Sequence, residues 1–388
     1  MLLIKWILFC LGHVALACVL FNRVHAFAFP NSAGKRSRKI TEKLILVFAV
    51  FPFPVLFYLV SFRPGQPFPK WLALYFIFGQ LVGLFFIARW LYRWATQKLP
   101  LNTKLISSEL VSIQPQGVPT LFRGLKGKLL SYVPFNQVTF LRIENWEFLF
   151  SDLPPELHGL KICQLSDLHF TGIIDQRYFD EVVHRANAGK PDLIVITGDI
   201  LDEDSCLDWI EDVLAKLRAK IGVYFIRGNH DLMISDQDAC LQRLKNTGMI
   251  WAADGKWHEV AVGGRTIQIA GNELPWFNHC TSLPLNKEKS DLRILLAHSP
   301  DQIGWAVKRN FDVVFAGHTH GGQIRLPIAG PIIAPSRYGI KFASGTFKIR
   351  DTLMHVSRGV SGDEPIRLNC PPELSFFTLI RSHAEGSS

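Results

Sequence analysis

The first hundred residues alternate long apolar stretches with short basic ones. Trp6–Asn22, Leu44–Phe62 and Trp71–Ala88 run for 17, 19 and 18 residues without a charged side chain. A bilayer core about 30 Å thick needs roughly 20 apolar residues in a helix, with a lower limit near 17. Three such stretches separated by basic loops predict three transmembrane helices rather than buried helices of a soluble core. Pro52 and Pro54 would kink the second, a distortion that membrane helices tolerate. Trp71, Trp90, Tyr92 and Trp94 stand where interfacial anchors belong.

The period changes from about Asn136, where short apolar runs begin to alternate with segments of helical spacing. The runs are Leu160–Leu165, Leu193–Thr197, Val223–Ile226, Ile267–Ala270, Ile294–Ala297 and Val313–Ala316. Gln176–Asn187 places Phe179, Val182, Val183 and Ala186 on one stripe, and Leu207–Ala219 does the same with Ile210, Val213, Leu214 and Leu217. Glu259–Ala270 reads as a hairpin turning at Gly263-Gly264. This alternation predicts a layered α/β domain. The expected organisation is a transmembrane region over 1–98 (spans about 6–22, 44–62 and 71–91), a juxtamembrane connector over 99–135, an α/β domain over 136–382 and a tail over 383–388. Pro115, Gly117, Pro119, Gly124 and Gly127 interrupt the connector, and its Arg123, Lys126 and Lys128 would either touch anionic headgroups or sit on a solvated loop.

Charge refines this picture. The chain has a formal net charge of +9, yet residues 1–135 hold 16 Lys/Arg against only Glu42 and Glu109. Residues 136–388 hold 26 Lys/Arg against 31 Asp/Glu, so no basic nucleic-acid face is expected there. The first loop carries Arg23, Lys35, Arg36, Arg38, Lys39 and Lys43, while the second carries Arg63 and Lys70. Arg89, Arg93, Lys98 and Lys104 follow the third span. The positive-inside rule then puts the first loop and everything after the third span in the cytoplasm. A competing reading takes the first apolar run as a cleaved signal peptide ending near Ala26-Phe27-Ala28, which would leave six cations outside. The seven cysteines are scattered without a CxxC pair, as in a reducing compartment.

Nearly every predicted strand ends in a cluster of metal-type ligands. They are Asp167-Leu168-His169, Gly198-Asp199-Ile200-Leu201-Asp202, Gly228-Asn229-His230-Asp231, His298 and Gly317-His318-Thr319-His320. In an open α/β sheet the site forms beyond the carboxyl ends of the strands, so the five clusters should converge. Carboxylate, amide oxygen and imidazole without thiolate suit Mn, Fe, Zn or Co rather than a structural zinc. Two metals about 3.5–4 Å apart clamp a phosphoryl centre. Gly198, Gly228 and Gly317 are expected to let the backbone turn sharply beside the ligands.

The order DxH, GDxxD, GNHD, lone His, GHTH resembles the calcineurin-like metallophosphoesterase superfamily over about Asn136–Arg381. Gly321-Gly322-Gln323-Ile324-Arg325-Leu326-Pro327 and Val356-Ser357-Arg358-Gly359 are similar to its membrane-tethered bacterial phosphodiesterase branch. The resemblance implies an αββα metallophosphoesterase domain behind about three transmembrane helices, loaded with two divalent metal ions. It implies Asp167, His169 and His320 on one metal, Asn229, His298 and His318 on the other, and Asp199 bridging. His230 would protonate the leaving oxygen and Asp202 would orient it. One departure is Glu203-Asp204, where the protein Ser/Thr phosphatases of the superfamily have Arg-Gly. That loss of a phosphate fork argues against a phosphoprotein substrate. Arg325 is either a substitute for that fork or a surface residue. The expectation is a phosphodiesterase or pyrophosphatase at the cytoplasmic membrane face, with a lipid-linked substrate such as UDP-2,3-diacylglucosamine. The alternatives are an anchored hydrolase of soluble nucleotides and, from another class, a non-catalytic scaffold. Partners expected are the phosphoester and membrane lipids, without nucleic acid.

Overall fold

The molecule is described from a computed structural model over residues 2–25, 40–41, 43–45, 47–49, 70–96, 99–114, 120–277 and 290–382. It divides into two units, residues 1–98 with 328–340, and 99–327 with 341–388.

In the first unit, α1 (Leu2–His25) and α2 (Lys70–Thr96) are both long and apolar enough to cross a membrane. Gly12, Gly79 and Gly83 let them approach closely. A Cβ on Gly12 would fall 1.9 Å from Gly79 O, and one on Gly83 would fall 2.2 Å from Leu8 O. Gly79 and Gly83 thus form the small-xxx-small spacing by which helices pack where no hydrophobic force draws them together. Many of their remaining apolar side chains, Leu3, Trp71, Leu74 and Leu81 among them, are exposed, unlike those of a soluble core helix. Two of the three expected spans are therefore present as helices; the second, Leu44–Phe62, lies largely outside the described residues.

The second unit is built on two facing sheets. The strands of the first are β1 (Thr103–Ser112), β2 (Phe140–Phe150), β3 (Lys161–Leu165), β4 (Leu193–Thr197), β5 (Gly222–Ile226) and β6 (Ile250–Trp251). The second sheet takes β7 (His258–Val262), β8 (Arg265–Asn272), β9 (Leu292–Ala297), β10 (Val313–Ala316), β11 (Gly345–Ile349) and β12 (Thr352–Val356). The last strand, β13 (Glu373–Arg381), returns to the first sheet. The strand orders are β1-β2-β13-β3-β4-β5-β6 and β11-β12-β10-β9-β8-β7. Strands β3 to β6 run parallel, as do β8, β9, β10 and β12. All six expected apolar runs are strands, and the β7–β8 hairpin turns at Gly263-Gly264 with Val262 opposite Arg265.

Alternation along each strand sorts side chains between layers. On β10, Val313 and Phe315 point between the sheets beside Ile162, Val195, Ile226, Ile269 and Ile294. Val314 and Ala316 point outward, onto α6 (Ile303–Lys308) through Ile303 and Ala306. The outer face of the first sheet is covered by α4 (Gln176–Ala188) through Tyr178, Phe179, Val182, Val183 and Ala186, the expected stripe with Tyr178 added. The layers are thus helix, sheet, sheet, helix.

Two expectations need correction. Leu207–Ala219 is not one helix: α5 spans only Trp209–Asp212, followed by a 3-10 turn at Leu214–Lys216. Its apolar stripe is still buried, but Asn187 takes over the local hydrogen bonding, donating to Lys216 O at 2.8 Å and accepting from Arg218 N at 2.8 Å. The segment 99–135 is more than a connector. It supplies edge strand β1, antiparallel to β2, and α3 (Gly124–Ser131). Most of β1 is exposed, so no apolar alternation marks it in the sequence.

Candidate active site

The parallel strands end side by side, and their ends deliver the ligand-type residues. Asp167 and His169 follow β3, Asp199 and Asp202 follow β4, Asn229 and His230 follow β5, His298 follows β9, and His318 and His320 follow β10. To leave a strand and turn its side chain inward, the backbone at Asp167, His169, Asp199, His318 and His320 adopts left-handed φ of 52, 47, 51, 70 and 50°. Such strain in non-glycine residues persists where the surroundings over-determine it, typically at active sites. The neighbouring glycines serve partly differently than expected. Gly198 does take φ 89°. Gly228 and Gly317 are required for space: their Cβ atoms would fall 2.2 Å from Asp199 Oδ1 and 2.4 Å from Asp167 Oδ2.

Two ligand groups share one carboxylate. Asp167, His169, Asp199 and His320 each offer an atom within 4.8 Å of the others, and so do Asp199, His298 and His318. Asn229 Oδ1 joins the second group, 3.1 Å from His298 Nε2. Asp199 Oδ2 is buried and accepts no hydrogen bond, although it lies 3.5 Å from His169 Nε2 and 3.2 Å from His298 Nε2. Nε2 of His169 and of His320 face each other at 3.2 Å. An orphaned buried carboxylate oxygen ringed by imidazole nitrogens is costly alone and is satisfied by cations. The residues therefore fit a pair of divalent metals.

The electrostatics agree. Burial raises the Asp167 carboxyl, and the Asp199 charge adds to it. Burial also opposes ionisation of Asp199, but His298 and His230 outweigh it and hold that carboxyl well below the ordinary range. Burial, His169 and Arg367 together keep the His320 imidazole neutral, the form that ligates metal. For His230, burial is overcome by Asp199 and Asp202, and its pKa is pushed up to about 10. Asp202 accepts from His230 Nδ1 at 2.9 Å and from His169 Nδ1 at 2.9 Å. One carboxylate thus orients both an expected ligand and the expected acid.

Arg325 takes part differently. Its Nη1 donates to Ser344 Oγ at 3.1 Å and its backbone N–H to Leu368 O at 2.9 Å.

Three further residues shape the site. Asp231 accepts from the Ile200 and Leu201 amides at 3.0 Å each and from Gly228 N at 2.7 Å, tying the second ligand loop to the third. Its place in GNHD was the only sequence signal. Trp276 stands edge-on to His298 at 5.2 Å and beside His318 at 4.9 Å between ring centroids. Arg367 is fully buried, donating from Nη1 to His320 O at 2.9 Å and to Arg358 O at 2.7 Å, with Nη2 donating to Ser361 O and 3.2 Å from His320 Nδ1. Neither Trp276 nor Arg367 belongs to a motif, so nothing short of the fold brings them here.

Residues 160–322 match the family model described as calcineurin-like phosphoesterase. The chain is 33% identical over 234 residues to the metallophosphoesterase YkuE of Bacillus subtilis, covering 58% of this chain and 81% of that one. It is 29% identical over 224 residues to phosphodiesterase YaeI of Escherichia coli, covering 57% and 82%. It is 25% identical over 278 residues to UDP-2,3-diacylglucosamine pyrophosphatase LpxG of Chlamydia muridarum, covering 58% and 84%.

Proposed function

The chain belongs to the calcineurin-like metallophosphoesterases, and from that premise we propose that it hydrolyses a phosphodiester or pyrophosphate whose lipid part stays in a membrane. Membership makes it a metal-dependent hydrolase working with two divalent ions. The observation that carries the site assignment is the orphaned Asp199 Oδ2 between two ligand groups. In this reading Asp167, His169 and His320 would hold one ion, Asn229, His298 and His318 would hold the other, and Asp199 would serve both. Oxygen and imidazole donors suit manganese, iron, zinc or cobalt.

When bound, two divalent ions supply Lewis acidity at phosphorus and a water acidic enough to lose its proton near neutrality. The protein's own groups do the rest. His230, its pKa raised by Asp199 and Asp202 and its Nδ1 engaged by Asp202, would present Nε2 to the leaving oxygen. Its side chain keeps 16% exposure, where His169 and His298 have none, so substrate can reach it. Asp202 locks the acid to the ligand shell, so protonation occurs at a fixed distance from phosphorus. Arg325 remains a candidate for a substrate phosphate oxygen.

Two observations support the lipid. The chain carries two helices able to cross a membrane, and it is similar to a pyrophosphatase of a diacylated sugar nucleotide. The cation asymmetry of the loops supports a catalytic domain on the cytoplasmic side. The test offers full-length protein in manganese-loaded proteoliposomes a diacylated sugar-nucleotide pyrophosphate, a cyclic nucleotide and a linear dinucleotide. Preferred turnover of the lipid supports the reading. Turnover of nucleotides with none of the lipid refutes it in favour of soluble substrates. Loss of both metals and of activity in Asp199→Asn supports the bridge, and near-normal turnover at matched metal content refutes it.

A further inference from the structure

The catalytic unit carries one face that a water-soluble surface would not. Four large apolar side chains stand out from α3 and the turn after it: Leu125 is 76% exposed, Leu129 63%, Tyr132 74% and Phe135 89%. Leu125 and Leu129 are four apart, hence on one side of the helix. Phe135 takes the left-handed φ of 61°, a conformation in which a bulky residue is a genuine outlier. Such clusters, unlike scattered single residues, mark an interaction surface.

Cations border the cluster. Arg123 lies 3.7 Å from Asp175, Lys126 pairs with Glu364 at 2.7 Å, and both keep more than half of their side chains exposed. Lys128 lines an open groove of about 640 Å³ together with Phe122, Tyr132 and Phe135. Apolar tips flanked by cations are the pattern of a segment that lies in a membrane interface, with apolar groups among acyl chains and cations among anionic headgroups.

The segment is firmly mounted. Before α3, Arg123 N donates to Ile173 O at 2.7 Å, and Asp175 N donates to Leu121 O at 2.8 Å. After it, Asn136 Nδ2 donates to Pro365 O at 3.0 Å and Gln137 N to Arg367 O at 2.7 Å. Ile173–Asp175 follows the Asp167–His169 loop, and Arg367 holds His320. The apolar face is thus bolted to the two segments that flank the ligands of one metal group.

We propose that α3 and the Tyr132–Phe135 turn dock the catalytic domain on an anionic bilayer surface, Leu125, Leu129, Tyr132 and Phe135 entering the interface and Arg123, Lys126 and Lys128 meeting its phosphates. Two helices of the same chain are able to cross a membrane, which makes a bilayer, rather than a second protein, the occupant at hand. The proposal deepens the lipid-substrate reading by bringing the ligand rim to the headgroups, but docking holds whatever the substrate is.

The test uses full-length protein in vesicles of phosphatidylethanolamine and phosphatidylglycerol, with a photo-crosslinking amino acid at position 129 or 135. The control position is Lys220, which precedes β5 and so lies at the opposite strand ends from the ligands. Phospholipid adducts at 129 and 135, absent at 220 and reduced when the anionic lipid is omitted, are expected. No lipid adduct at 129 and 135, or adducts only to a second copy of the chain, would overturn the proposal. A combined Leu125→Ser, Leu129→Ser, Phe135→Ser variant should lose those adducts at a probe on Tyr132 while keeping its hydrolysis of a small soluble diester. Lipid adducts together with turnover of nucleotides alone would sink the lipid-substrate reading and leave docking standing.

Discussion

Replacing Arg367 with Met removes a fully buried cation that holds His320 through its backbone carbonyl and through Ser361 O beside its ring. The carbonyls of Arg358 and Ser361 lose the guanidinium donor, while that of His320 keeps Gln323 N at 3.0 Å. Each unsatisfied acceptor costs about 1–3 kcal/mol. Relief from burying a charge returns several kcal/mol, so the net loss of stability is about 2–4 kcal/mol. For a domain of this size that lowers the melting point by roughly 5–15 °C. A merely structural residue would stop there. Because Arg367 also holds Ser361 O, the acceptor 3.3 Å from His320 Nδ1, the variant should bind the metal of that group about 10–100-fold more weakly, as loss of a ligand's supporting partner does. That equals about 1.4–2.8 kcal/mol. Calorimetric metal titration of folded protein, run below both melting points, reads this separately from stability. Arg367→Lys should recover part of the stability but little of the affinity, since an ammonium lacks the fork that reaches carbonyls on three residues. Metal affinity within threefold of wild type in Arg367→Met, with the melting point lowered, would refute the positioning role.

The remaining expectations concern the acid and the buried charge network. His230→Ala should slow esters with alkoxide-like leaving groups by about 10²–10⁴-fold while sparing p-nitrophenyl esters, and equal losses on both would make His230 a structural residue. Burial alone would raise the Glu373 carboxyl, but Arg358 and His355 hold it well below the ordinary carboxylate range, with Arg358 Nη2 also donating to Glu144. A depressed acid stabilises the fold above its unfolded pKa, about 4.5, and that contribution drains away as pH falls below it. Thermal melts of wild type should therefore decline on acidification below about pH 4.5 more steeply than melts of Glu373→Gln; parallel curves would show that Glu373 is not the titrating group.

Local spacing was enough for the strands and for the clusters of ligand-type residues that follow them. Apolar runs such as Leu193–Thr197 and Val313–Ala316 have little choice but to lie in buried sheets, and the Asp, Asn and His after them must then emerge at one rim. The helical stripe of α4 likewise needs only its own period and the N-cap Asp175. Where backbone bonding depends on distant residues, the same reasoning fails. The stripe from Leu207 does not stay one helix, and Asn187, 29 and 31 residues before its partners Lys216 and Arg218, takes an amide that a continuous helix would have paired internally. The edge strand β1 exists because β2 offers it a ladder, not because its own side chains alternate between water and core. Arg367 illustrates the limit most clearly: alone it is one more cation, and only the folding of the segment from Arg358 to Arg367 over His320 makes it part of the site. The types of the candidate ligands are local chemistry and stand in the sequence itself. What holds each candidate ligand, which carboxylate oxygen lies without a hydrogen bond between two groups, and which apolar face is left uncovered were decided by tertiary structure, because each depends on atoms far apart in the chain being brought within a few ångströms.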